Sequence, residues 1–161
     1  GITEERSSKM SRIEAVVQRN ENMHRLLEIW ESAVRKTHTF LSEADVLSIK
    51  QEVPHGILAI QHLHCFFDDN DTPQGFIGVE NQKIEMLFVD ANARGQGIGK
   101  QLLNFALTDL GAIYVDVNEQ NEQGVGFYEH MGFVTMSRSD YDEQGRPFPI
   151  LHLKRNESYE I

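Results

Sequence analysis

Leu87-Phe88-Val89-Asp90-Ala91-Asn92-Ala93-Arg94-Gly95-Gln96-Gly97-Ile98-Gly99-Lys100-Gln101-Leu102-Leu103 is the stretch on which the fold turns. Leu87, Phe88 and Val89 are continuously apolar, as in a strand covered on both faces. Gly95, Gly97 and Gly99 then alternate with other residues, and without a Cβ they leave backbone N–H groups open to a ligand. Ile98, Leu102, Ala106 and Leu110 recur every four residues, with Leu103 and Leu107 beside them, which is a helical period. The glycines therefore sit on a helix N-terminus, where free N–H donors and the helix dipole favour an anion such as phosphate or pyrophosphate. Two familiar phosphate loops do not fit. A P-loop needs a glycine at the position of Arg94 and a hydroxyl where Gln101 stands. The dinucleotide fingerprint needs its third glycine where Lys100 stands. A glycine turn that merely caps a helix is the plain alternative.

The chain outside this stretch sets broad limits. Its 161 residues suit one domain with a full core, and 40% hydrophobic with 25% charged residues is ordinary for a soluble globular protein. One cysteine, Cys65, excludes an internal disulfide and points to a reducing, cytoplasmic setting. No apolar run approaches a membrane span. The net charge of −10 argues against nucleic acid as a partner; it fits a cationic substrate such as an amine, with solubility as its main role. Residues 1–9 are polar and aperiodic and precede Met10, so they are expected to be a tag remnant or disordered extension, with residues 10–161 as a single domain.

Periodicity orders the rest. Ile13, Ala15 and Val17 alternate as a first strand over residues 11–18. Asn20, Glu21 and Asn22 offer a cap to a helix carrying Met23, Leu26, Leu27, Trp30, Ala33 and Val34. Ser42 caps a second helix to about Gln51, which Pro54 and Gly56 should end. Residues 58–67, 75–80 and 83–89 read as three antiparallel strands joined by short turns. After the glycine loop and its helix, residues 113–117 should lie parallel to the 83–89 strand, because a helix returns the chain. Asn121 caps a further helix that Gly132 ends, and residues 133–138 and 148–154 are the final strands, joined by a polar turn over residues 140–147.

Arg94-x-x-Gly97-x-Gly99, following its apolar strand, resembles the acetyl-CoA pyrophosphate loop of the GNAT superfamily of N-acetyltransferases. Asn121-x-x-Gly124-x-x-x-Tyr128-x-x-x-Gly132-Phe133 is similar to the GNAT segment after the fifth strand, where the position of Gly124 is often alanine. Ile29-Trp30, Thr37-His38, Phe40-Leu41-Ser42, the run from Val117 to Gln123, and Gly145-Arg146-Pro147-Phe148-Pro149 look like the small bacterial acetyltransferases of the YjaB type. The resemblance spans nearly all of residues 11–154. It implies a mixed α/β (α+β) sheet in the GNAT acyl-CoA N-acyltransferase fold, with about seven strands, four helices and a splayed parallel strand pair.

The resemblance also implies a site. Backbone groups of Leu87, Phe88 and Val89 would pair with the pantetheine arm of acetyl-CoA. The amides of Gly95, Gln96, Gly97, Ile98, Gly99 and Lys100 would wrap its pyrophosphate, with Arg94 and Lys100 adding charge. Asn118 and Asn121 would lie beside the thioester, though either also serves as a helix cap. The reaction is attack of a neutral amine on the thioester carbonyl, with a backbone N–H near Val89 facing the oxyanion. Tyr128 is the candidate acid for the departing sulfur: a phenol near pKa about 10 and a thiol near about 8.5 can exchange a proton in contact. Its alternative is a core aromatic. Glu85, a carboxylate in an apolar strand, is the candidate base, or else a strand-end residue facing solvent. His38 follows it, and Trp30, His38 and Phe40 are the candidate acceptor-pocket residues, although Trp30 also fits the helix's core face. The histidines show no metal-ligand spacing, so no metal is expected. An acyl-CoA-binding module without turnover, an ATP or NAD enzyme, and a purely structural protein remain the rivals. The amine acceptor and the choice between monomer and homodimer stay open.

Overall fold

The computed structural model describes residues 10–156; the expectation for residues 1–9 lies outside them. The elements run β1 (Arg12–Ala15), α1 (Arg19–Thr37), α2 (Glu43–Lys50), α3 (Val53–Ala59), β2 (His62–Phe67), β3 (Pro73–Glu80), β4 (Lys83–Val89), a 3-10 turn (Ala91–Ala93), α4 (Ile98–Asp109), β5 (Tyr114–Asn118), α5 (Glu122–His130), β6 (Phe133–Ser139) and β7 (Ile150–Arg155). Seven strands form one sheet in the order β1-β2-β3-β4-β5-β7-β6, in which β4 and β5 are the parallel pair.

Three boundaries differ from expectation. The first strand is only four residues long, and α1 starts at Arg19 with Gln18 as its N-cap, ahead of the asparagines expected to cap it. Pro54 does not break helical structure; it opens α3, where its missing N–H is one of the donors a helix start leaves unused. Residues 58–61 therefore belong to that helix and its exit rather than to β2.

Two cores flank the sheet. Leu26, Ile29, Trp30 and Val34 of α1 pack with Val46, Ile57, Leu63, Cys65 and Phe76 on one face. Leu102, Leu103 and Ala106 of α4 pack with Ile77, Val79, Ile84, Val115, Val117, Tyr128 and Phe133 on the other. The first core stops at β4, and among the described residues no helix packs on the α1 face of β5, β7 and β6.

The parallel pair is closed at one end only. Lys83 pairs with Tyr114 and Ile84 with Val115, and no pairing follows. Gln82, at positive φ in the β3–β4 turn, accepts from the N–H groups of Ile113 and Tyr114 at 2.8 and 3.1 Å, which ties the closed end. Opposite β3, Gly78 pairs with Met86 but Val79 with Ile84, leaving Glu85 as the extra residue of a bulge. A bulge bends its strand and raises its twist, and here it falls where β4 leaves β5.

Candidate active site

The open end of the β4–β5 pair leads into two adjoining cavities. One, of about 320 Å3, lies between α1, the end of β4, the glycine loop and α5. The other, of about 110 Å3, lies between β4 and β5 and is lined by Glu85, Asp116, Asn118 and others. His38, Leu87, Phe88, Asn121 and Tyr128 line both, so the two meet there.

The strand register decides which backbone groups face the cleft. The Asp90 N–H donates to the Gln74 carbonyl at 2.9 Å, and Phe88 stands opposite Phe76. Hydrogen-bonded pairs alternate along an antiparallel ladder, so Phe88 spends its backbone groups on β3 while those of Leu87 and Val89 turn to the opposite edge. The expected backbone contribution of Phe88 is thus corrected to its side chain, which lines both cavities.

The glycine loop is held by residues that sequence reading missed. Asp90 is 5% exposed. It accepts from the Asn92 N–H at 2.9 Å and from Ser32 Oγ at 3.2 Å, and the same Ser32 Oγ accepts from the Ala91 N–H. Arg25 lies 3.0 Å from Asp90 and donates to the Pro73 carbonyl, so α1, β3 and the loop entrance share one polar knot. A carboxylate directly after an apolar strand and two residues before an asparagine was the available signal. Beyond the knot, Gly95 and Gly97 take φ of 83° and 78°, and Gly97 caps α4 in the left-handed region that favours glycine. Arg94 donates to Gln123 at 2.7 Å, joining the loop to α5. Arg94, Gly95, Gly97, Ile98, Gly99 and Lys100 line the larger cavity; Gln96 is exposed and lines neither.

Asn121 caps α5 by accepting from the Gly124 N–H at 3.1 Å. A Cβ at position 124 would come within 2.4 Å of Asn121 Nδ2, so glycine there lets the asparagine amide lie over the helix start. Asn118 accepts from the Gln120 N–H and lines the smaller cavity. Tyr128 is buried, edge-on to Phe127 and Phe133 at 5.2 and 5.6 Å, and burial pushes its phenol well above the usual range. It keeps its proton at neutral pH.

The acceptor-side residues separate. Trp30 is 4% exposed within the α1 core and lines neither cavity, which corrects its assignment to the acceptor pocket: the helix's apolar stripe turned it inward. Phe40 also lines neither; it packs between His38 and Phe148, at ring distances of 5.4 and 5.8 Å. His38 alone of the three reaches both cavities. Thr37 Oγ1 lies 2.9 Å from the Ala33 carbonyl and 2.8 Å from His38 Nδ1. Both contacts are hydrogen bonds only if Thr37 donates to the carbonyl and accepts from Nδ1–H, which leaves Nε2 of the neutral ring unprotonated. Burial holds this imidazole down at about 4. Glu85 lines the smaller cavity but keeps an exposed face to solvent, as the solvent-facing alternative has it; partial desolvation raises its carboxyl above the usual range, against the pull of Lys83 at 3.9 Å.

The glycine loop, the one-ended parallel pair and the buried Tyr128 meet around these two joined cavities. The profile described as "Acetyltransferase (GNAT) domain" matches residues 31–149, and the chain belongs to that family. It is an enzyme that moves an acetyl group from acetyl-CoA to an amine. A curated relative, the peptidyl-lysine N-acetyltransferase YjaB of Salmonella typhimurium, is 41% identical over 135 residues, 84% of this chain and 92% of the relative. The solution structure of apo-form YjaB from Escherichia coli matches with TM-score 0.82 and 34% identity over 91% of this chain and 97% of that one. The PaiA N-acetyltransferase of Thermoplasma acidophilum, solved in complex with coenzyme A, shares the fold at TM-score 0.64 and 24% identity, covering 89% and 99% of the two chains. Among the described residues, no helix is long and apolar enough to cross a membrane.

Proposed function

We propose that this chain acetylates the ε-amine of lysine in a peptide or protein. The observation that carries the reading is the meeting of a glycine-loop cavity with a carboxylate-lined one at Tyr128. The lining of the smaller cavity by Glu85 and Asp116 suits an ammonium group, and the curated YjaB relative is named for peptidyl-lysine acetylation. A reducing, cytoplasmic setting suits the buried Cys65 thiol, which burial pushes up to about 12.

In this reading the loop amides at residues 95–100 hold the pyrophosphate, with Arg94 and Lys100 as countercharges. The free backbone edge of Leu87 and Val89 pairs with the pantetheine arm, as an added strand would. The Val89 N–H faces the carbonyl oxygen that gains charge as the amine attacks. Asn118 and Asn121 flank the thioester. Tyr128 gives its phenolic proton to the leaving sulfur. Glu85 holds the incoming ammonium and receives a proton from it; His38 Nε2, neutral and aimed by Thr37, accepts an N–H of the attacking amine.

The test is transfer itself. With acetyl-CoA and a panel of lysine peptides, N-terminal amines and small polyamines, mass spectrometry should find the acetyl group on lysine side chains. Acetylation confined to small amines would overturn the acceptor assignment. Thermal shift separates the donor question: at one hundred times its dissociation constant a ligand of the folded state stabilises by about 2.7 kcal/mol. Acetyl-CoA should do so, and ATP and NAD should not.

A further inference from the structure

The arginine of the glycine loop takes an unusual partner for so acidic a chain. Arg12, Arg25, Arg35, Arg138 and Arg146 each form an ion pair with at least one carboxylate. Among the described residues Arg94 forms none. Its side chain makes a single hydrogen bond, from Nη2 to Oε1 of Gln123 at 2.7 Å, across 29 positions of sequence. A carboxylate was within easy reach in the chain: Glu122 opens α5 directly before Gln123, yet the guanidinium takes the amide.

The place of this bond gives the choice of partner its meaning. Arg94 and Gln123 both line the larger cavity, with Gly95, Gly97, Gly99 and Lys100. The bond joins two walls of that cavity, the loop that leads into α4 and the first turn of α5. A carboxylate would hold the guanidinium by charge and cancel most of that charge. An amide oxygen holds it by one directional hydrogen bond and cancels none. The remaining N–H donors of the planar fork stay available, and fixing one edge of the fork fixes the plane of the others. Such ordering in advance lowers the cost of binding an anion.

We propose that Gln123 is a positioning residue for the donor, holding Arg94 at the cavity wall with its charge intact for the pyrophosphate of acetyl-CoA. This rests on the acetyl-transfer reading, in which the loop amides hold the same group. Gln123 acts through Arg94 and takes no part in the chemical steps. Glutamate, of nearly the same size, separates this role from a purely structural one. It would keep the link between loop and α5, and tighten it as an ion pair. It would also discharge the cation and set a second anion against the pyrophosphate.

The experiment measures acetyl-CoA affinity by calorimetry for wild type, Gln123→Ala, Gln123→Glu, Arg94→Ala and the double variant, with thermal melts alongside. Both side chains are exposed, so every variant should fold. Gln123→Ala should weaken acetyl-CoA about three- to tenfold, and Gln123→Glu should weaken it further, by about tenfold or more. Once Arg94 is alanine, Gln123→Ala should add less than about twofold, because its effect runs through the arginine. The losses should vanish in turnover with S-acetylpantetheine, a donor with the thioester and its arm but no pyrophosphate. A Gln123→Glu variant that binds acetyl-CoA as tightly as wild type would overturn the proposal. Equal losses from Gln123→Ala with and without Arg94, or losses that persist with S-acetylpantetheine, would do so as well. A wild type whose melt and calorimetry do not respond to acetyl-CoA would instead overturn the underlying reading.

Discussion

Replacing Tyr128 by phenylalanine removes one oxygen from the junction of the two cavities and leaves the ring in place. Its edge contacts with Phe127 and Phe133 survive, as does its burial against the α4 core. Among the described residues the hydroxyl makes no protein hydrogen bond, so nothing is orphaned by its loss. Tyr128 lines both cavities and its oxygen is not one of the sealed, partnerless polar atoms, so Tyr128→Phe should be about as stable as wild type, within about 1 kcal/mol. Catalysis should change far more. Loss of a positioned acid costs about 10²–10⁴ in rate, or about 3–5 kcal/mol of barrier. Burial raises the phenol, but the same dry setting raises the basicity of the departing thiolate, so proton transfer stays matched. The assay is free-thiol release from acetyl-CoA with a lysine peptide at saturating donor, beside a thermal melt. A large fall in kcat, an unchanged KM for acetyl-CoA and a Tm close to that of wild type are expected. A kcat within twofold of wild type would refute the acid role of Tyr128. A Tm several degrees lower would refute the claim that its hydroxyl is unpartnered.

Other perturbations separate binding from chemistry. Asp90→Asn weakens the knot with Arg25 and Ser32, and should raise the KM for acetyl-CoA severalfold at nearly constant kcat. It should cost about 1–3 kcal/mol in a urea melt, less than a fully buried pair because Arg25 is partly exposed. Gly97→Ala meets no neighbouring atom within 4 Å, so only its φ of 78° resists a side chain. About 1–2 kcal/mol of strain should appear as weaker acetyl-CoA affinity by calorimetry. His38, held down at about 4 by burial, binds its proton more readily in the unfolded chain, where the value is about 6.5. Stability should therefore be full above pH 6.5 and fall by about 3 kcal/mol as pH drops towards 4, and His38→Gln should remove that part of the slope in paired melts.

What was legible in the sequence is local. Gly97 and Gly99, the helix that follows and Asn121 with Tyr128 and Gly132 are each set by neighbours within a few turns of chain, and each sits where its local chemistry requires. The errors have physical causes of the same scale. Pro54 reads as a breaker because a single sequence does not say whether a proline opens or ends a helix. Trp30 lies on the apolar stripe of α1, and a stripe says that a face is covered without saying whether core or ligand covers it. The bulge at Glu85 depends on the register between β3 and β4, which no local pattern marks. The bond between Arg94 and Gln123 joins the glycine loop to α5 and is assembled only by sheet order.

The central claim is that donor and acceptor meet in the cleft that β4 and β5 open beyond Ile84. Amide 1H–15N spectra recorded during titration with acetyl-CoA test it most directly. The largest shifts should fall on Leu87, Val89 and residues 95–100, with smaller ones at Asn121 and Tyr128 and none along β6. Shifts that spare Leu87 and Val89, or that gather on another face of the sheet, would contradict the account.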